Sequence, residues 1–230
     1  MNDFLTNSTF FGAFLSLAFY EVGVRCKKRW KAAIVNPLLI AVILTILTLV
    51  FFKVPYSVYN ASGKYLSYLL TPATICLAIP LYEQIELLKK HKYAIFAGII
   101  AGILTSLILI LLFAVLFRFT HEEYVTFLPK SITTAIGIGV SDELGGYVSI
   151  TAAIILITGI TGNIIAEPLC RICKITEPVA KGIGIGSASH AIGTAKALEM
   201  GEIEGAMSGL SIAVSGVLTV FAAILFSMLY

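Results

Sequence analysis

Residues 93–117 read YAIFAGIIAGILTSLILILLFAVLF, without a single Asp, Glu, Lys or Arg. An α-helix needs roughly 20 apolar residues to cross about 30 Å of hydrocarbon, and this run exceeds that length. Its Ile and Val content would suit a strand in water. In lipid, however, backbone groups must pair within their own segment, so the run predicts a helix. Working outward, three more charge-free runs reach span length, at residues 32–52, 144–166 and 205–230. Two shorter runs, 4–20 and 65–82, are further candidates. Composition agrees: 58% of the 230 residues are hydrophobic and 13% are charged, whereas soluble domains carry roughly 25% charged residues.

The expected fold class is therefore an all-α polytopic membrane protein. It would have about 6 to 7 transmembrane helices plus one or two re-entrant or broken helices. It reads as a single membrane domain, residues 1–230, in the lipid bilayer of a plasma or inner membrane. The N-terminus has no basic leader ahead of its first apolar run, so that run is read as a helix rather than as a cleaved signal.

Charge sets the expected orientation. The net charge of +3 lies in clusters between the runs, so it orients the chain and does not signal nucleic acid. Residues 25–31, RCKKRWK, read as a cytoplasmic loop, and Lys89, Lys90 and Lys92 mark a second one. Glu122 and Glu123 then fall outside. The uncharged runs 131–141 and 182–195 are too short for a comfortable span. If the first dips in and returns, Arg171, Lys174 and Lys181 stay cytoplasmic, and the re-entrant reading is preferred for that reason.

A faint repeat relates the halves, about 1–118 and 119–230. Ala101-Gly-Ile-Leu-Thr matches Ser215-Gly-Val-Leu-Thr at an offset of 114, which also sets residues 70–80 against 184–194. Inverted repeats with broken helices at matching positions point to a transporter with a mid-membrane site. Two Gly- and Leu-rich helices can align this well by chance, so both readings stand.

Four stretches could carry function. Asn36 and Pro37 form a helix-opening cap and first turn. Pro72 and Pro80 each remove a backbone donor, and Thr71 and Thr74 could pair with the freed groups or face a substrate. A kinked packing helix is the plainer alternative. Around Pro129, read as the first turn of a short helix, Lys130, Ser131, Thr133 and Thr134 gather a cation and three hydroxyls. Free amides at a helix start attract anions, and a lysine at depth needs a partner or a purpose. Snorkelling to the interface is its alternative.

In the fourth stretch, Gly184, Gly186 and Gly193 would break or closely pack a helix that carries Ser187, Ser189, His190 and Thr194. A core histidine can equally be a satisfied donor. No catalytic constellation, metal site or cofactor motif emerges. Cys170 and Cys173 have no second pair to complete a zinc site.

These stretches resemble the LrgB/CidB family. The resemblance rests on NPLLIA at 36–41, LTPATICLAIPLY at 70–82, PKSITT at 129–134 and GIGSASHAIGTAKA at 184–197. Ala135 stands where the family pattern has Pro. The resemblance implies a multi-pass protein of the bacterial cell membrane that works with a small holin-like LrgA/CidA-type partner. It implies movement of small monocarboxylate anions of the pyruvate or glycolate type. The alternative it also carries is a non-transporting, antiholin-like regulator of murein hydrolase activity and autolysis. A homo-oligomer is compatible with either.

Overall fold

The computed structural model describes residues 10–30, 35–69, 72, 75, 76 and 78–230. Helices and turns make up these residues, with no strand among them. The chain divides into two compact units, residues 1–76 and 77–230.

The first unit contains α1 (Phe11–Trp30), α2 (Pro37–Phe51) and α3 (Tyr56–Ser67), with α1 packed on both others. The Ser62 hydroxyl accepts from the backbone amides of Gly12 (2.8 Å) and Ala13 (3.2 Å), which satisfies donors that a helix start leaves open. Gly12 and Gly23 lie directly against the backbones of Tyr59 and Pro37, where a side chain would collide. Asn36 caps α2 through Oδ1, accepting from Leu38 and Leu39 at 2.8 and 3.1 Å, and Pro37 follows at the first helical position.

Two expectations change here. The basic stretch is helical through Trp30, so Arg25, Lys27, Lys28 and Arg29 ride on the last turns of α1 and are not in a loop, while Lys31 lies outside the described residues. The run 32–52 yields a helix of only 15 residues, about 22 Å long. The cap at Asn36 starts it late, and the chain turns at Lys53 with φ 50° before Pro55.

The second unit begins with α4 (Ala78–Glu83), followed by α5 (Ile85–Phe117), α6 (His121–Phe127), α7 (Thr134–Glu143), α8 (Val148–Ile172), α9 (Pro178–Met200) and α10 (Glu202–Ser227). Pro80 sits in the first turn of α4, where a missing amide donor costs nothing. Helices α5, α8 and α10 are long and apolar enough to cross a membrane. Along α5, Ile95, Ile99, Ile103, Leu107, Ile110 and Ala114 form a buried stripe at helical spacing, against Tyr124 and Val125 of α6, Ile183 of α9 and Met207 of α10. The outer faces stay apolar at Leu112, Ile157 and Phe221, as a lipid-facing surface requires.

The short elements between the spans are reversals. At α9, Lys181 near the start pairs with Glu204 of α10 (3.6 Å), and Lys196 near the end pairs with Glu167 of α8 (2.8 Å). Gly186 and Thr194 both reach Ser208, and Gly193 approaches Ile185. Eight residues of straight helix would separate each of these pairs by about 12 Å. So α9 is two arms, residues 178–189 and 191–200, folded back at His190, the one residue inside it with non-helical torsions (φ 43°, ψ −144°). Gly184, Gly186 and Gly193, expected as breaks, are helical; Gly193 lets the two arms pack closely and Gly186 lets the first arm approach α10, while Gly184 has open space.

Segment α6–α7 reverses from the other end. Tyr124 donates to the Phe226 carbonyl near the end of α10 (2.9 Å), whereas Ser131 reaches Ser106 (3.2 Å), about 16 Å down α5 from its C-terminus. Helix α7 then climbs back, and Ser141, Thr151 and Thr126 close a buried hydroxyl network at its far end. Pro129 lies in the turn between the two helices. The helix expected to start there starts instead at Thr134, because Thr133 is extended (ψ 145°).

Lys89, Arg171, Lys174 and Lys181 consequently gather at one end of the unit, and Glu122, Glu123, Asp142 and Glu143 at the other. The proposed inverted relation of α5 to α10 does not hold. Tyr230 donates to Ala114 (3.1 Å) and Phe119 (2.9 Å), so both helices finish at the same end and run parallel. The antiparallel pair is α5 with α8, each followed by a reversal.

Close packing of the first α9 arm on α10 gives a matched test. A Cβ at Gly186 would strike the Ser208 backbone, whereas one at Gly184 meets nothing within 4 Å. Gly186→Val should lower stability by about 1–3 kcal/mol relative to Gly184→Val, read as a lower Tm of the detergent-solubilised protein.

Candidate functional site

The two reversals meet on the same three helices at mid-depth. On α5, Gly102 abuts Ser187 of the α9 hairpin, and Ser106 meets Ser131 of the α6–α7 turn. These α5 positions are one turn, about 6 Å, apart. On α10, Ser211 lies against Gly186, and Gly216, little more than a turn further on, meets Ile136. On α8, Ile155 serves both: its side chain reaches Gly137, and its carbonyl bonds to the His190 ring.

Each tip has a physical account. His190 Nε2 lies 3.0 Å from the Ile155 carbonyl. A carbonyl only accepts, so this nitrogen carries the hydrogen and donates it. The ring fits because Gly159 has no side chain: a Cβ there would stand 2.6 Å from its Cε1. Nδ1 makes no hydrogen bond among the described residues. Thr194 donates to the His190 carbonyl (3.0 Å) and meets Ser208 (2.7 Å), so one hydroxyl shields the reversal's backbone. Asn163 donates to the Ile192 carbonyl (2.7 Å). A positive φ at a non-glycine residue costs about 1–3 kcal/mol and persists only where surroundings enforce it.

At the other tip, Lys130 Nζ donates to Ser131 Oγ (3.1 Å), which lies 3.2 Å from Ser106 Oγ. No carboxylate among the described residues lies within ion-pair distance of Lys130. Thr133 caps α7 through its backbone alone, its side chain making no cap bond. The amides of Thr134, Ala135 and Ile136 find no acceptor among the described residues. Ala135, in the first turn of α7, leaves the break intact: Thr133 supplies it. The arrangement is thus a cation without a counter-ion, free helix-start amides and several hydroxyls, which together suit a small anion.

Of the sequence-predicted residues, Lys130, Ser131, Thr133 and Thr134 form one tip. Ser187, Ser189, His190 and Thr194 form the other, and all four are buried. Pro72 is exposed in the first unit. Thr71 and Thr74 lie outside the described residues. Sequence reading missed Gly102, Ser106, Ile155, Ser208 and Ser211, which seat the tips. The pattern Ser208-x-x-Ser211-x-x-x-Ser215 does place three small hydroxyls on one helical face.

Three helices long and apolar enough to cross a membrane, with two helical reversals packed among them, define a helical membrane protein. The chain belongs to the LrgB-like family, which residues 16–229 match. It is 37% identical over 207 residues to the uncharacterized protein YxaC of Bacillus subtilis, covering 90% of each chain. It is 35% identical over 219 residues to the holin-like protein CidB of Staphylococcus aureus, covering 95% of each. With CidB of Staphylococcus epidermidis it shares 34% over 205 residues, 89% of this chain and 90% of that one. No solved structure matches it.

The torsions of His190 can be tested directly. His190→Gly removes the strain together with the ring, whereas His190→Ala loses the ring and keeps the strain. The glycine variant should be the more stable of the two by about 1 kcal/mol, read by thermal unfolding in detergent.

Proposed function

We propose that this protein moves small monocarboxylate anions of the pyruvate or glycolate type across the bacterial cell membrane, binding them between the two helix reversals. The observation that carries this is Lys130. A lysine at mid-depth costs about 2.5–3.5 kcal/mol on insertion scales, yet this one has only serine hydroxyls for company among the described residues. A carboxylate seated beside it would neutralise the charge and take up the amides of Thr134 and Ala135. One carboxylate matches one ammonium, and the hydroxyls of Ser131, Thr133 and Ser187 suit an α-keto or α-hydroxy oxygen. By the charge rule the lysine-rich end is cytoplasmic, so each reversal would face a different compartment, as alternating access needs. An LrgA/CidA-type holin-like protein is the proposed partner.

The relatives named holin-like proteins favour a second reading, a non-transporting regulator of murein hydrolase activity that acts by assembly. Uptake of labelled pyruvate and glycolate into liposomes separates the two. With the partner present, the parent chain should show saturable uptake. Lys130→Met should lower it by roughly tenfold or more, a loss of about 1.4 kcal/mol or greater, while still folding and assembling. Full uptake by Lys130→Met removes the site. No uptake by the parent, with or without partner, supports the regulator.

A further inference from the structure

At the lysine-rich end of the second unit, α8, α9 and α10 border an open cleft of about 530 Å³ whose walls include Arg171, Lys181, Glu199 and Glu204. A narrower, half-open groove of about 170 Å³, with almost wholly apolar walls, continues between α8 and the first arm of α9 as far as Gly162 and Ser189. The two share Cys170, Ile175 and Lys181, so they form one path from a charged mouth to the residue before the reversal. There the path ends. Ser189 presses directly onto the α8 backbone at Gly162, and the His190 ring onto Gly159.

Besides this packing, each arm of the hairpin makes an ion pair to a neighbouring helix. Lys181 on the first arm pairs with Glu204 of α10, and Lys196 on the second with Glu167 of α8 (2.8 Å). Lys196 also reaches Glu199 on its own arm (3.4 Å). Both arms therefore pair with carboxylates of neighbouring helices, while their apex rests on two glycines and is tied to α8 by His190 on the Ile155 carbonyl and by Asn163 on the Ile192 carbonyl.

We propose that movement of the α9 hairpin away from α8 turns this apolar path into an access route from the lysine-rich end to the apex, so that the hairpin is its gate. The ion pairs clasp the gate, Gly159 and Gly162 are its seat, and movement of the arms away from α8 opens the route to the inner tip. This goes beyond the carboxylate reading and does not require it, since a gate and a path exist whichever solute passes.

Thiol labelling of the full chain in liposomes tests it without any cargo. With all four native cysteines replaced by serine, Ser189→Cys reports the closed end of the path and Ile157→Cys a lipid-facing control. A membrane-impermeant thiosulfonate bearing a sulfonate is the probe, read by mass. In a second variant Cys170 alone is kept, and its labelling reports the mouth. Ser189→Cys should react slowly when the clasps are intact. Glu167→Gln with Glu204→Gln should speed it roughly fivefold, the shift expected for loss of a part-buried ion pair, with Ile157→Cys unreactive throughout. Equal rates with and without the clasps, no labelling of Cys170, or a parallel rise at Ile157→Cys would overturn the gate. If the double variant elutes as aggregate, Glu167→Gln alone decides by the same criteria. Because substrate is absent, failure here leaves the carboxylate reading standing, and failure of uptake leaves the gate standing.

Discussion

A backbone amide or carbonyl placed in hydrocarbon has no water to turn to. This constraint organises the second unit. Each helix that stops at mid-depth must have its open groups met by protein, so the three spans around the reversals carry small and hydroxylated residues where the tips touch them. Gly102, Gly159 and Gly162 let the tips come close. Ser106, Ser208, Asn163 and the Ile155 carbonyl meet their polar groups. Where such partners are supplied by neighbouring carbonyls and hydroxyls, at His190 and Thr194, the reversal is buried. Where they are not, at Lys130 and the start of α7, a cation and free donors remain for something else to satisfy.

The two tips are therefore unlike in chemistry although alike in depth. One is closed on itself: a ring donating to a carbonyl and hydroxyls bonded to backbone and to each other. The other is open and electropositive. A site assembled from such halves divides its work between them, with charge supplied from the α6–α7 side and shape from the α9 side. The distribution of apolar side chains reinforces this, since the faces of α5, α8 and α10 turned away from the tips are continuous apolar surface.

Much of this is legible in the residues themselves. Charge-free runs locate α5, α8 and α10 because the cost of a charge in lipid leaves few exceptions. The short runs 131–141 and 182–195 identify both reversals because their length fits no span. What is not legible depends on tertiary context. The basic stretch after Tyr20 reads as a loop, yet helix and loop carry lysines equally well outside the hydrocarbon. The break in α9 falls on His190 rather than on a neighbouring glycine, since packing against Gly159 and Ser208 can enforce torsions that local preference would assign elsewhere. The relation of α5 to α10 misleads because a shared Gly-x-Leu-Thr pattern records small-residue packing and says nothing of direction. The ion pairs of Glu167 and Glu204 join residues 29 and 23 positions apart from their lysines, and no spacing rule reaches that far.

The doubling back of α9 bears on how the chain is made. Its charged flanks, from Glu167 to Lys181 and from Lys196 to Glu204, lie at one end, so only the uncharged stretch between Lys181 and Lys196 lies deep. Only the uncharged apex needs to descend, and it can do so after α8 and α10 are in place, entering between helices already inserted.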